Sequence, residues 1–234
     1  MASASANTQI PPAIRDAATV LLIRDAGTAP RVLMGQRGAK AAFMPNKFVF
    51  PGGAVDATDA TIPLGAPLPA ICHARLTEHA AGPTAEALAA AAIRELWEET
   101  GLVLGQPGAW PDPPADWASF AATGARPDAS GLSFVFRAIT PPGRPRRFDA
   151  RFFLADAAHV RGDLDDFSRA SDELSHLQWI PLAEARSFNL PFITEVVLAE
   201  IAARLPDLGP PPSVPFFKND DEESLFLRLR GHAP

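Results

Sequence analysis

A single cysteine, Cys72, is all the thiol that these 234 residues contain. That excludes a disulfide framework within the chain and suits a reducing compartment. No apolar run approaches the ~20 residues that a helix needs to span a bilayer. Basic charge is also short, with 21 lysines and arginines against 27 acids and a net charge of −6. Broad binding to nucleic acid or to a membrane surface favours a basic face, so both are expected to be absent. Residues 1–12 have neither the basic start nor the apolar stretch of a signal peptide, and they are too poor in arginine for a mitochondrial presequence. They read as a flexible arm, with cytoplasmic location as the default. Apolar residues, at 47%, suffice for one good core, so residues 13–234 are expected to form a single domain.

Hydrophobic patterning outlines the elements. Short buried strands are expected at Ala18 to Ile23 and Val32 to Met34, with a turn around Gly27 between them, and a third at Lys47 to Phe50, closed by Pro51-Gly52-Gly53. Residues 57–83 hold a short helical stretch near Ala70 to His79. A major helix follows, with Thr84 placed as its N-cap and Gly101 as the residue that ends it. Leu88, Ala92 and Leu96 give this helix an apolar stripe. The stretch from Gln106 to Pro114 reads as a loop, and a short helix is expected around Trp117 to Ala122. Strands are expected at Leu132 to Ala138, Phe148 to Leu154 and Leu177 to Ile180, then a second major helix from Pro191 to Leu205. A terminal hairpin is expected from Val214 to Leu229, turning at Asn219-Asp220-Asp221. This alternation indicates an α/β fold, an α/β/α sandwich around a mixed sheet. The 25 prolines concentrate in loops and form no ligand motif.

The chemistry concentrates in Arg94-Glu95-Leu96-Trp97-Glu98-Glu99-Thr100-Gly101. Glu95 and Glu99 share one helical face with Glu98 at its edge. Like charges this close oppose helix formation by a few tenths of a kcal/mol per pair. A hard divalent cation reverses the sign of that cost, because Mg²⁺ or Mn²⁺ takes oxygen ligands and bridges to substrate phosphates. The bland alternative, a solvated acidic face, leaves the nearby Pro-Gly-Gly unexplained. Trp97 falls on the packing side.

With these residues the chain resembles the Nudix hydrolase superfamily, whose box runs G-x5-E-x7-R-E-U-x-E-E-x-G-U, U being a bulky apolar residue. Glu86, Arg94, Glu95, Leu96, Glu98, Glu99, Gly101 and Leu102 fit its second half. Gly53 is taken as its opening glycine, but 32 residues separate Gly53 from Glu86 where the pattern has five. The reading adopted is an insertion of about 27 residues at roughly 57–83, since loop length is cheap in free energy. The resemblance implies a Nudix-type α/β/α sandwich and hydrolysis of a pyrophosphate bond in a nucleoside diphosphate linked to another moiety. It implies Mg²⁺ or Mn²⁺ held by Glu95, Glu99 and Glu98, with Glu98 alternatively as general base and the Gly53 carbonyl as a further ligand. It implies Arg94 and Glu86 as an ion pair that orders the site, with Gly52 and Gly101 as structural support. Asp172 or Glu173 is a candidate base from outside the helix, with a solvated loop acid as the plainer role. A homodimer is the family expectation.

The register of Arg37, Pro45 and Pro51 within V-L-M-G-Q-R-G-A-K-A-A-F-M-P-N-K-F-V-F-P-G-G is similar to the coenzyme A diphosphatases of the superfamily, as is Arg146-Arg147-Phe148-Asp149-Ala150-Arg151-Phe152-Phe153. Asn46 and Lys47 depart from the commonest form of that signature, which has a glycine and an acid there. Coenzyme A carries a 3′-phosphate besides its diphosphate, so guanidinium groups suit it. Arg37, Arg147 and Arg151 are the candidate substrate contacts, with Phe50 as a stacking partner. The expected reaction yields 3′,5′-ADP and a phosphopantetheine or its acyl form. The alternatives are an ADP-ribose or dinucleotide (NADH-type) pyrophosphatase and a non-catalytic nucleotide-binding regulator. Cys72, His73 and His79 offer three zinc ligands where a closed site needs four, so that stretch reads as a helical lid with its histidines in solvent.

Overall fold

The structure is a computed structural model that describes residues 12–41, 43–219 and 224–231. Along the chain these form β1 (Ile14–Arg24), β2 (Arg31–Arg37), β3 (Phe48–Val49), β4 (Gly52–Ala54), α1 (Ala70–Thr77) and α2 (Ala85–Thr100). There follow β5 (Val103–Pro107), α3 (Ala118–Ala121), β6 (Ala125–Pro127), β7 (Ser133–Ile139), β8 (Arg147–Asp156) and β9 (Val160–Arg161). The last elements are β10 (Leu174–Pro181), α4 (Phe192–Ala202), β11 (Val214–Asn219) and β12 (Ser224–Leu229). The main sheet runs β10-β2-β1-β8-β7-β11-β12, with β3 beside β2 and β4 beside β1. β1 and β8 pair in parallel, as do β7 and β11, among otherwise antiparallel neighbours. The sheet is therefore mixed, as expected, and β6-β5-β9 form a small second sheet.

β1 explains the layering. Its run from Ala17 to Ile23, apolar but for Thr19, is what a strand covered on both faces requires. Ala18, Val20 and Leu22 enter one core with Leu88 and Leu96 of α2, while Leu21 and Ile23 enter another with Val197, Leu198 and Ile201 of α4. Helices thus cover both faces of the sheet.

α2 begins and ends where its caps dictate. The Thr84 hydroxyl accepts a hydrogen bond from the Ala87 amide at 3.2 Å. Gly101 takes a left-handed conformation at φ 74°, and its amide donates to the Trp97 carbonyl at 2.7 Å. The helix is buried nearly all round rather than along one stripe, because residues 57–83 wrap its outer side. Ile62, Leu68, Cys72 and Leu76 join the core of α2. Alanines at 85, 87 and 89–92 let these layers approach closely.

This covering corrects the picture of 57–83 as a lid, for the segment is a buttress. Cys72 is fully buried, with its sulfur accepting from the Phe134 amide at 3.3 Å. His73 and His79 are exposed. Thiol and imidazoles therefore part company. Arg75 of α1 donates to the carbonyls of Pro211 and Pro212 at 2.6 and 3.0 Å, tying the segment to the stretch just before β11.

The expected terminal hairpin forms, β11 against β12, although Asp220 and Asp221 of its turn lie outside the described residues, as does most of the N-terminal arm. β4, β5, β6 and β9 were not expected. They are short and lack a period-2 alternation. No helix of the described residues is long and apolar enough to cross a membrane. Replacing the N-cap, Thr84→Ala, is expected to lower stability by about 1 kcal/mol in urea unfolding, with an unchanged far-ultraviolet spectrum.

Candidate active site

The last two turns of α2 meet β4, and side-chain volume decides how closely. A Cβ on Gly53 would lie 2.4 Å from the Glu95 carboxyl carbon, and one on Gly52 would lie 2.5 Å from the Ala18 carbonyl oxygen. Only glycines let the strand and the acids approach like this. The Gly52 amide donates to Glu99 Oε2 at 2.8 Å.

Arg94 lies at the centre. Its guanidinium forms a two-pronged pair with Asp59, Nε to Oδ1 and Nη2 to Oδ2, both at 3.0 Å. Nη1 donates to Glu95 at 2.9 Å and to Glu98 at 3.1 Å, and Nη2 also reaches the Ala54 carbonyl at 2.9 Å. Asp56 lies 3.6 Å away. Burial works against the charge of Arg94, but Asp59, Glu95 and Glu98 outweigh it and raise its pKa.

Arg94 therefore does not pair with Glu86. Glu86 stands at the exposed start of α2 and meets His73 at 3.2 Å, two turns from Arg94 along the helix. Asp59, only 1% exposed, takes the place assigned to Glu86. The signal was in the sequence: five residues separate Gly53 from Asp59, the spacing of the family box from glycine to first acid. The pattern thus continues intact through Asp59, an aspartate where glutamate was sought, and the extra chain follows it.

The three glutamates differ in surroundings. Glu99 is 1% exposed. Burial, opposed by the Gly52 amide and reinforced by Glu95 and Glu173, raises its pKa well above the usual carboxylate range. For Glu95, burial opposed by Arg94 leaves the pKa pushed up to about 7. Glu98 is half-buried, and burial raises its pKa against the pull of Arg94. One arginine and one amide do not neutralise three acids so placed, and an all-oxygen anionic set is what a hard cation takes. The donors fit Mg²⁺ or Mn²⁺ in kind. Among the described residues no three acid, histidine or cysteine side chains converge as a ready ion cage; Glu95 and Glu98 are engaged by Arg94.

The loop before β10 completes this side. The Ser171 amide donates to the Glu98 carbonyl at 2.9 Å. Glu173 acts electrostatically on Glu95 and Glu99 and lies 3.7 Å from Arg37, which ends β2. Arg37 in turn acts on Glu99. The structure therefore brings Glu95, Glu98, Glu99, Gly53, Arg94, Arg37 and Glu173 together.

It separates the other substrate candidates from them. Phe50 is 3% exposed and packs in the α4 core with Leu190 and Leu198, leaving no ring face for a base. Arg147 is 2% exposed and donates to the carbonyls of Thr140 and Asn219 at 3.0 and 2.9 Å, joining the β7–β8 turn region to β11. Arg151 is 1% exposed and donates to Asp16 and to the Asp149 carbonyl. Asp149 also takes both prongs of Arg137, at 2.9 and 2.6 Å. These arginines are corrected to structural ties. Their pattern in sequence reported a strand, β8, whose charged residues turn inward onto partners.

Comparison with known proteins agrees with the geometry. A family model described as the NUDIX domain matches residues 13–201. A Caenorhabditis elegans protein named putative nudix hydrolase 7 is 32% identical over 179 residues, which are 71% of this chain and 51% of that protein. The chain thus spans about half the length of that relative. The crystal structure of a NUDIX hydrolase from Alicyclobacillus acidocaldarius is similar at TM-score 0.62 and 30% identity, over 82% of this chain and 93% of that one.

The change of partner is testable. Asp59→Ala leaves Arg94 buried with its main partner removed and is expected to destabilise by about 3–5 kcal/mol in urea unfolding. Glu86→Gln, at an exposed site, is expected to stay within about 0.5 kcal/mol. The reverse order would restore Glu86 as the partner of Arg94.

Proposed function

The chain belongs to the Nudix hydrolase family, and on that footing we propose that it is a metal-dependent pyrophosphohydrolase whose preferred substrate is coenzyme A or an acyl-coenzyme A. The observation that carries the hydrolase reading is the close seating of Glu95 and Glu99 against Gly53 and Gly52, with more buried anionic charge than Arg94 offsets.

Glu95, Glu98 and Glu99, with the Gly53 carbonyl, would hold Mg²⁺ or Mn²⁺. When bound, such ions neutralise the diphosphate oxygens and lower the pKa of water. Arg94 orders this set, fixing the rotamers of Glu95 and Glu98 with one nitrogen. Glu98 is the most exposed of the three glutamates and takes the proton of the attacking water. Glu173 is the other base within the same field, held by Arg37 and the anchored loop. Arg37 supplies a cation beside the acids for the anionic part of the substrate.

The coenzyme A preference is supported by the resemblance of the segment from Val32 to Gly53 and by Arg37, at the site. Arg147 and Arg151 lend it nothing, since both are consumed by internal partners. Residues 13–234 are taken as the catalytic unit.

A panel of coenzyme A, acyl-coenzyme A, ADP-ribose and NADH, with Mg²⁺ or Mn²⁺ and mass identification of products, is expected to show 3′,5′-ADP released fastest. Turnover of ADP-ribose alone would reassign the substrate, and metal-dependent binding without cleavage of any member would make the protein a regulator. Glu98→Gln is expected to lower kcat by at least about 10²-fold with the fold intact; near-normal turnover would pass the proton-accepting role to Glu173.

A further inference from the structure

Beside Glu98 a cleft of about 390 Å³ opens between α2, α3 and the loop before β10, lined by Trp97, Glu98, Ser119, Arg169 and Ser171. The cleft is open to solvent, and Ser119, Arg169 and Ser171 are all exposed. Trp97, 6% exposed, gives it an apolar wall. The remaining groups, apart from Glu98, are donors.

Arg169 is held at the rim by its backbone. An added Cβ on Gly101 would lie 2.9 Å from the Arg169 Cβ, so the loop sits directly on the residue that ends α2. The Ser171 amide is fixed to the Glu98 carbonyl, the Ala170 amide donates to Phe167 at 3.0 Å, and Phe167 packs on the core. No hydrogen bond or ion pair joins the Arg169 guanidinium to another described residue; its one resolved influence is on the exposed Asp166. The backbone is anchored and the charge is unspent. Ser119 accepts from the Trp97 indole N–H at 2.9 Å, which leaves its own O–H to donate outward. Ser171 accepts from the Glu173 amide at 3.5 Å and likewise keeps a proton to give.

We propose that this cleft binds a phosphate monoester of the substrate, remote from the scissile diphosphate, with Arg169 as its charge partner and Ser119 and Ser171 as hydroxyl donors. The proposal rests on the pyrophosphohydrolase reading for its geometry: the acids of α2 take the diphosphate, and the cleft begins at Glu98, the member of that set facing it. A guanidinium fork with two hydroxyls matches a dianionic monoester better than a neutral sugar, because each N–H and O–H donor meets a charged acceptor. Coenzyme A carries such a group at its 3′ position, whereas ADP-ribose has only its diphosphate. The cleft would therefore set the choice between the two substrates.

The test measures binding without metal as well as turnover with it. By calorimetry, the metal-free wild type is expected to bind 3′,5′-ADP at least about tenfold more tightly than 5′-AMP, and Arg169→Ala to erase that ratio. Arg169→Lys, keeping charge without the fork, should restore part of it. With Mg²⁺, Arg169→Ala is expected to raise KM for coenzyme A about tenfold relative to its effect on 3′-dephospho-coenzyme A. Equal binding of the two nucleotides by the wild type, or a ratio that survives Arg169→Ala, overturns the proposal. If the ratio behaves as expected but no diphosphate is ever cleaved, the monoester site stands and the hydrolase reading falls.

Discussion

The Arg94 guanidinium is the interaction on which the site depends. It holds Asp59 from the segment after β4, the Ala54 carbonyl from β4 itself, and Glu95 and Glu98 from α2. Three parts of the chain are thereby referred to one planar group, whose fork fixes angles as well as distances. A lysine could match the charge but not this set of directions. Because Arg94 and Asp59 are both almost fully buried, the pair is screened little by solvent, and loss of one member would strand the other in a medium that disfavours isolated charge.

The surrounding fold serves to make that group immobile. α2 is enclosed by the sheet on one side and by residues 57–83 on the other, with caps at both ends. A helix so confined is held by packing on both sides. Adjustment is left to the side chains at its accessible edge, Glu98 above all, and to the loops that meet there. The burial of Glu95 and Glu99 opposes their ionisation. An arrangement selected for stability alone would not keep such groups, whereas one that takes up cations with its substrate has reason to.

Much of this was legible in the sequence, for identifiable reasons. The limits of α2 were readable because Thr84 and Gly101 act on their immediate neighbours, and the acid set was readable because its spacing is one helical turn. The expected strands at β1, β2, β7 and β8 follow from apolar runs covered on both faces, and the one at β10 from Trp179 and Ile180, the buried apolar pair near its end. The partner of Arg94 was missed because an aspartate stood at the box spacing, and a glutamate farther on satisfied the more familiar half of the pattern. Burial was the other blind spot. Arg147 and Arg151 look alike on paper to arginines awaiting phosphate, yet β1 and β8 lie side by side, so that Asp16 and Asp149 reach Arg151 first. Phe50 sits at a strand end where its ring could have turned either way, and the core beneath α4 claims it. Pairings between distant strands decide such cases, and no local pattern encodes them.

The linkage of Asp59 to Arg94 spans 35 positions, and in a chain made from its N-terminus the acid emerges first. Until the helix has been synthesised, that carboxylate has only water and the nearby Asp56 amide to answer it. Closing a loop of this length carries an entropic penalty that the packing of this segment on α2 and β7 must offset. The arrangement around Arg94 thus cannot be completed before α2 is made. An excised peptide containing the glutamates would carry the motif without the constraint that gives it shape.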